Sequence, residues 1–182
     1  METYYDYVAT GKFNYRQLCE LRRCLRKGID VSVFANPEYD SLQMHEIARW
    51  LRAGVDVSRY TDASKSWRQM RDARLLMLIS QEYCPADIRH QRAARIAEQY
   101  KCTTKFSALK LYQIYLGALQ GVDVTIYAKP EYTRGQMVQI RLGLERNLDV
   151  KNYADAKYSS DQMCTIRLGL RDGVDAHAIE VM

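Results

Sequence analysis

The chain has 182 residues, a length typical of one domain or of two small ones. Hydrophobic residues make up 47% and charged residues 27%, a globular composition that argues against a disordered chain. The net charge of +5 permits a nucleic-acid or ribonucleoprotein partner and argues against a protein that mimics the negative charge of DNA.

Three features of the sequence predict a cytoplasmic protein. No apolar run approaches the roughly 20 residues that a membrane-spanning helix needs. The first residues lack the basic start and apolar core of a signal peptide. The cysteines are odd in number and form no CxxC motif, which favours a reducing compartment over a disulfide scaffold. They are Cys19, Cys24, Cys84, Cys102 and Cys164.

A sequence unit recurs along the chain with a period of 26 residues. The clearest copies are residues 127–144 and 153–170, in which Gln136 and Gln162 stand 26 positions apart. More degenerate copies bring the count to six, three before residue 83 and three after residue 101. A period of this size is typical of stacked structural repeats, so we expect each unit to bury its apolar face against its neighbours.

Each unit is predicted to hold one helix of about three turns with explicit ends. An N-cap oxygen stands three residues before a glutamine, which is the pattern of a capping box. A glycine or asparagine then marks the C-terminal end. An aspartate after this loop is predicted to cap a second, shorter helical turn. The six predicted cap pairs are Asn14/Gln17, Asp40/Gln43, Ser66/Gln69, Ser107/Lys110, Thr133/Gln136 and Ser159/Gln162.

The spacing from Ser80 to Gly121 is 41 residues instead of 26, so the repeat is interrupted. Residues 84–100 begin with Pro85 and Asp87 and carry apolar residues at helical spacing, which predicts an inserted basic helix. The predicted fold is therefore all-α, with stacked helix–turn–short helix units in two three-repeat arms. The arms span residues 1–83 and 101–182, and the inserted helix connects them.

One column of the repeat carries a glycine inside the predicted helix. Gly117, Gly143 and Gly169 occupy it in the second arm. A glycine in a helix interior costs about 1 kcal/mol relative to alanine. Its recurrence at a fixed spacing predicts that neighbouring helices approach each other closely at these positions.

The sequence lacks the motifs of common enzymes. His45, His90 and His177 form no metal-ligand spacing with one another or with cysteine, and we expect all three at the surface or its rim. No phosphate-binding glycine motif and no nucleophile elbow is present. We therefore predict a non-enzymatic protein with no catalytic, metal-binding or cofactor-binding residues and no cofactor.

Clusters of arginine are the remaining candidate sites. Each cluster has two interpretations, a solvated polar face or a surface that contacts phosphates of RNA or DNA. Tyrosines outside the repeat columns are candidate anchors of a protein interface, where tyrosine and arginine are enriched. The candidate partner-binding residues are Arg22, Arg23, Arg26, Arg68, Arg71, Arg89, Arg92, Arg95, Tyr112 and Tyr115.

The pattern Tyr-Ala-x-Pro-Glu-Tyr-x3-Gln-Met-x2-Ile-Arg-x-Gly-Leu of residues 127–144 resembles a repeat of proteins from gut Firmicutes and their mobile elements. With six degenerate units at this length, the chain resembles a type II-A anti-CRISPR protein, a phage-borne inhibitor of the RNA-guided DNA nuclease. The resemblance implies a non-enzymatic inhibitor in the bacterial host cytoplasm. It would bind the nuclease, with or without guide RNA, and block target DNA binding or cleavage. It implies no particular site residues.

Two alternatives remain open at this point. One is a nucleic-acid-binding phage or mobile-element regulator that places Arg22, Arg89 and Arg92 on phosphates. The other is a repeat scaffold for an unknown protein partner. Salt dependence distinguishes the regulator from a protein-binding chain. The affinity for phosphates falls steeply with the logarithm of salt concentration, whereas the affinity of an apolar protein interface does not.

Overall fold

The computed structural model describes residues 2–55, 57, 61–84, 86–102 and 105–174. This part of the chain forms eight α-helices and no strand, which confirms the all-α prediction. None of these helices is long and apolar enough to cross a membrane. The helices are α1 (Tyr4–Ala9), α2 (Tyr15–Leu25), α3 (Ser41–Arg52), α4 (Trp67–Leu78), α5 (Ile88–Lys101), α6 (Ala108–Gln120), α7 (Arg134–Leu144) and α8 (Ser160–Arg171).

The chain divides into two compact units, residues 1–74 and 75–182. In the first unit α1 packs on α2 and α2 on α3. In the second unit α5, α6, α7 and α8 pack successively, each against the next in the chain. Each unit buries large apolar side chains: Leu21, Phe34, Met44 and Trp50 in the first, and Ile114, Tyr127, Met137, Ile140 and Tyr153 in the second.

The predicted helix starts are present at all six cap pairs. The Asn14 side chain accepts a hydrogen bond from the Gln17 backbone N–H at 3.0 Å, and the Gln17 side-chain oxygen accepts one from the Asn14 backbone N–H at 2.8 Å. Ser107 keeps the cap although Lys110 replaces the glutamine. Each cap satisfies backbone donors that the first helical turn would otherwise leave unpaired. Helix α1 has no place in the repeat and was not predicted; Thr3 caps it.

The predicted helix ends also form. The loop glycines have the left-handed backbone conformation that a side chain disfavours, for example φ 78° at Gly121. Asn147 takes their place with φ 56°, and among the described residues no other non-glycine residue has a positive φ. After two of these loops an aspartate caps a single 3-10 turn, as predicted: Asp123 caps Val124–Ile126 and Asp149 caps Val150–Asn152. Asp56 lies outside the described residues.

The capping-box glutamines have a second role that the sequence did not predict. The Gln136 side-chain amide donates to the backbone oxygens of Ala156 at 3.0 Å and Tyr158 at 2.7 Å, in the loop before the next helix. Gln17 and Gln43 make the same pair of bonds 20 and 22 residues ahead. Lys110 keeps one of them, donating to the Pro130 oxygen at 2.9 Å. One side chain thus caps the start of its own helix and holds the following loop.

We expect Gln136→Ala to lower the free energy of unfolding by about 2–3 kcal/mol, because a buried side chain loses its cap bond and two bonds to backbone oxygens. Gln162→Ala is the matched control. Gln162 caps its helix but is exposed, so its loss should cost about 0.5–1 kcal/mol. Urea unfolding followed by circular dichroism measures both. Equal losses in the two variants would show that the loop bonds of Gln136 contribute nothing.

The predicted close approach of helices at the glycine column is wrong for Gly117 and Gly143. An added Cβ at Gly143 would overlap the hydroxyl of Tyr153, which follows in the next 3-10 turn and loop, and the Tyr127 hydroxyl occupies the same place at Gly117. The close contact between α7 and α8 lies instead at Gly135, where an added Cβ would stand 2.9 Å from the Ser160 Cβ. Gly117 and Gly143 therefore accommodate tyrosine hydroxyls.

Candidate partner-binding surface

The predicted arginines of α2 differ in their surroundings. Arg22 is exposed and lies over the Tyr4 ring, with its guanidinium carbon 5.5 Å from the ring centroid. Arg26 is exposed at the end of the helix. Arg23 is half-buried, pairs with Glu20 and hydrogen-bonds with His45, so it is fixed within the fold. Arg22 and Arg26 remain as side chains that can reach a partner.

The predicted arginines of α4 surround a tryptophan. The guanidinium carbons of Arg68 and Arg71 stand 4.9 and 5.4 Å from the Trp67 ring centroid. Arg71 also donates twice to the Asp72 carboxylate, at 2.7 and 2.8 Å. Arg74, the next residue of that sequence cluster, is buried against Glu46. Only Arg68 of this cluster is exposed, so α4 offers no continuous basic edge.

Helix α5 carries an exposed basic edge. Arg89, Arg92 and Arg95 are all exposed, and within the described part of the chain none of them forms an ion pair. We call these three side chains the arginine ridge. Asp87 caps the helix, accepting from the backbone N–H groups of Arg89 at 2.9 Å and His90 at 3.2 Å. The sequence predicted the ridge correctly as one edge of a helix.

The opposite face of α5 is buried. Its members, at i, i+3, i+4 and i+7, pack toward α6. Three are alanines, which let the two helices approach closely. The orientation of the ridge follows from this packing, because turning the arginines inward would expose the apolar face. The buried residues are His90, Ala93, Ala94 and Ala97.

The expectation of a surface position is wrong for His90, which is fully buried. Its Nδ1 lies 2.9 Å from the Tyr115 hydroxyl and its Nε2 lies 2.8 Å from the Ser80 backbone oxygen. Both ring nitrogens are therefore satisfied inside the protein. The signal was present in the sequence, since His90 starts the same helical stripe as Ala93 and Ala97. His45 is half-buried, and His177 lies outside the described residues.

Tyr115 is only 8% exposed, so it is removed from the candidate surface. Burial raises the pKa of its phenol to about 12. Tyr112 is half-buried and stacks on Tyr115, with ring centroids 5.9 Å apart. The prediction of an exposed anchor is wrong for Tyr115, because the face of α6 that carries it is covered by α5. Its hydroxyl lies against His90, so Tyr115 is part of the contact between these two helices.

Buried and half-buried polar pairs that sequence reasoning missed link helices of the same unit. Arg74 donates to Glu46 at 3.1 Å, Arg141 to Gln113 at 3.2 Å and Arg167 to Gln139 at 2.9 Å. Each pair joins residues 28 positions apart, so no local pattern reveals it. These arginines are part of the scaffold and are not available to a partner.

The described residues contain no group of three or more histidine, cysteine, aspartate or glutamate side chains placed to hold a metal ion. The candidate surface of the second unit is the arginine ridge. No protein-family model, no curated protein and no solved structure matches the chain.

Proposed function

We propose that the chain is a non-enzymatic binding protein that uses the arginine ridge of α5 to contact a polyanionic partner. The observation that carries this proposal is the contrast among its arginines. Arg74 and Arg167 are buried and Arg141 is half-buried, and each donates to an acceptor on a neighbouring helix. The ridge has no such partner among the described residues and stands on a helix whose other face is anchored.

The scaffold in this proposal is a set of six 26-residue units arranged in two three-unit arms, with α5 inserted between them. Its support is the recurrence of the same contacts at the same separations. The glutamine-to-loop bonds recur at 20 and 22 residues, and the arginine-to-acceptor bonds recur at 28 residues. Within the second unit, stacked helices support α5, and a rigid support lowers the entropy lost when a ridge of arginines engages its partner.

The partner in this proposal is the RNA-guided DNA nuclease of type II-A CRISPR systems in its guide RNA complex, within the bacterial cytoplasm. The resemblance of the chain, at this length and with six degenerate units, to a type II-A anti-CRISPR protein is the reason for proposing the nuclease. The ridge favours the complex with guide RNA, because arginine donates paired hydrogen bonds to phosphate oxygens. Binding there would block target DNA binding or cleavage by restricting strand access or a conformational change.

We expect the combined variant Arg89→Glu, Arg92→Glu, Arg95→Glu to bind the nuclease–guide complex at least about tenfold more weakly, because three attractive contacts become repulsive. Its free energy of unfolding should stay within about 0.5 kcal/mol of the parent protein, since the three side chains are exposed. Interferometry on the immobilised complex measures the affinity.

The matched control reverses three exposed lysines of the same unit, Lys105→Glu, Lys129→Glu and Lys151→Glu, and so changes the net charge equally. It should bind within about twofold of the parent protein at physiological salt, where charges beyond the Debye length of about 8 Å are screened. Equal weakening in both triple variants would mean that overall charge, and not the ridge, attracts the partner.

A further inference from the structure

A second exposed basic surface lies in the first unit and differs from the ridge because it carries aromatic rings. On α2, Tyr15, Cys19, Arg22 and Arg26 stand at i, i+4, i+7 and i+11, which places them along one face of the helix. All four are exposed. The stripe is about 16 Å long at 1.5 Å per residue.

The rings on this surface are unusually open. Tyr15 is 81% exposed and Tyr5 is 78% exposed. Tyr4 and Tyr5 of α1 contact edge to face, with centroids 5.6 Å apart, and Arg22 lies over the Tyr4 ring. The thiol of Cys19 beside the Tyr15 hydroxyl raises the pKa of that phenol. The rings and the guanidinium group therefore belong to one surface.

Arg22 and Arg26 present guanidinium groups that no carboxylate among the described residues pairs with, because the nearby carboxylates bond elsewhere. Glu20 pairs with Arg23, and Asp6 accepts from the backbone N–H and hydroxyl of Thr3 at 2.6 and 2.8 Å. Among the described residues, neither Arg22 nor Arg26 forms an ion pair. Cys19, Arg22, Arg23, Arg26 and Lys27 line a surface depression at this place.

We propose that the tyrosine–arginine face, formed by Tyr4, Tyr5, Tyr15, Arg22 and Arg26, binds single-stranded nucleic acid. Exposed rings stack on unpaired bases, and flanking arginines neutralise the phosphates between them. A duplex hides its bases from such rings. A protein interface would need an apolar centre, and the α2 stripe contains no aliphatic side chain. This site lies in the first unit and does not depend on the nuclease proposal.

The test is fluorescence anisotropy with labelled oligouridine and oligothymidine of about 12 nucleotides, a length within the usual range of single-strand sites. The full chain carries Arg89→Ala, Arg92→Ala and Arg95→Ala, so that the ridge cannot contribute. We expect the single strands to bind at least about tenfold more tightly than a duplex of equal length. Arg22→Ala and Arg26→Ala should each reduce the slope of log affinity against log salt by about 0.7.

Substitutions at Tyr15 separate stacking from charge. Tyr15→Leu keeps an exposed apolar side chain but removes the ring, and it should weaken binding about tenfold. Tyr15→Phe keeps the ring and should bind within about twofold of the parent. Arg134→Ala, an exposed arginine of the second unit, is the control for charge and should leave binding unchanged.

Three results would overturn the proposal. Equal affinity for duplex and single strand, or an unchanged affinity in Tyr15→Leu, would reduce the interaction to charge attraction. Binding of an oligoglutamate peptide as tight as that of the oligonucleotides would assign the face to an acidic protein segment. An absence of oligonucleotide binding at low salt would leave the face without a nucleic-acid ligand.

Discussion

Glu46→Ala is expected to lower the free energy of unfolding by about 3–5 kcal/mol. Glu46 and Arg74 are 3% and 5% exposed, and the carboxylate accepts from the Arg74 Nε at 3.1 Å. Removing the carboxylate leaves a guanidinium group buried without its counter-charge. That loss far exceeds the worth of an exposed ion pair, because water cannot replace the missing partner.

Glu46→Gln is the matched control, and the chain itself provides its rationale. Gln113 and Gln139 hold Arg141 and Arg167 in the second unit through the same side-chain oxygen. An amide at position 46 should therefore keep the hydrogen bond and cost only about 1 kcal/mol. Both tryptophans of the chain, Trp50 and Trp67, lie in the first unit, so their fluorescence in urea follows that unit. Equal losses for alanine and glutamine would contradict this explanation.

Gly143→Ala is the second substitution with a large expected effect, a loss of about 1–3 kcal/mol. The new Cβ would overlap the Tyr153 hydroxyl and stand 2.9 Å from a methyl group of Val150. Tyr153 is fully buried and donates to the Gln139 backbone oxygen at 3.3 Å, so its ring cannot move away freely. Alanine elsewhere in a helix stabilises by up to about 1 kcal/mol relative to glycine, which makes a loss here diagnostic.

Tyr153→Phe should rescue this variant. Alone it loses one hydrogen bond, at a cost of about 1 kcal/mol. In the double variant with Gly143→Ala it also removes the overlapping oxygen. The double variant should therefore lose about 1–2 kcal/mol less free energy of unfolding than the sum of the two single losses. Circular dichroism in urea measures all three proteins. If the two losses simply add, the Tyr153 hydroxyl is not the reason why position 143 requires glycine.

The sequence contained the signal for this pairing, although we interpreted the glycine column differently. Two of the three glycines of the column are followed ten positions later by a tyrosine, Tyr127 after Gly117 and Tyr153 after Gly143, whereas Ile179 follows Gly169. Where the column holds Cys24, the aromatic residue is Phe34, which has no hydroxyl. Trp50 departs from this rule, and its counterpart Tyr60 lies outside the described residues. Helical spacing alone does not reveal which neighbour fills the space above a glycine.

Local chemistry explains what was predictable in the fold. Capping residues act on backbone groups three positions away, so the pair Thr133 and Gln136 is visible in the sequence and marks a helix start correctly. The pair Arg141 and Gln113 joins two helices across 28 residues and depends on how they pack. The same limit applies to the candidate surface. Helical spacing predicted the ridge, but the burial of Tyr115 follows from α5 covering α6.

The most direct measurement is a DNA-cleavage assay with purified type II-A nucleases, guide RNA and target DNA, with this protein in a few-fold molar excess and a gel-shift lane for DNA binding beside it. We predict that the parent protein abolishes cleavage by at least one nuclease and that the glutamate variant of the arginine ridge restores it. The gel shift assigns the block to DNA loading or to a later step. Full cleavage throughout the panel, together with a shift of free DNA by this protein alone, would contradict the inhibitor and favour a nucleic-acid-binding regulator.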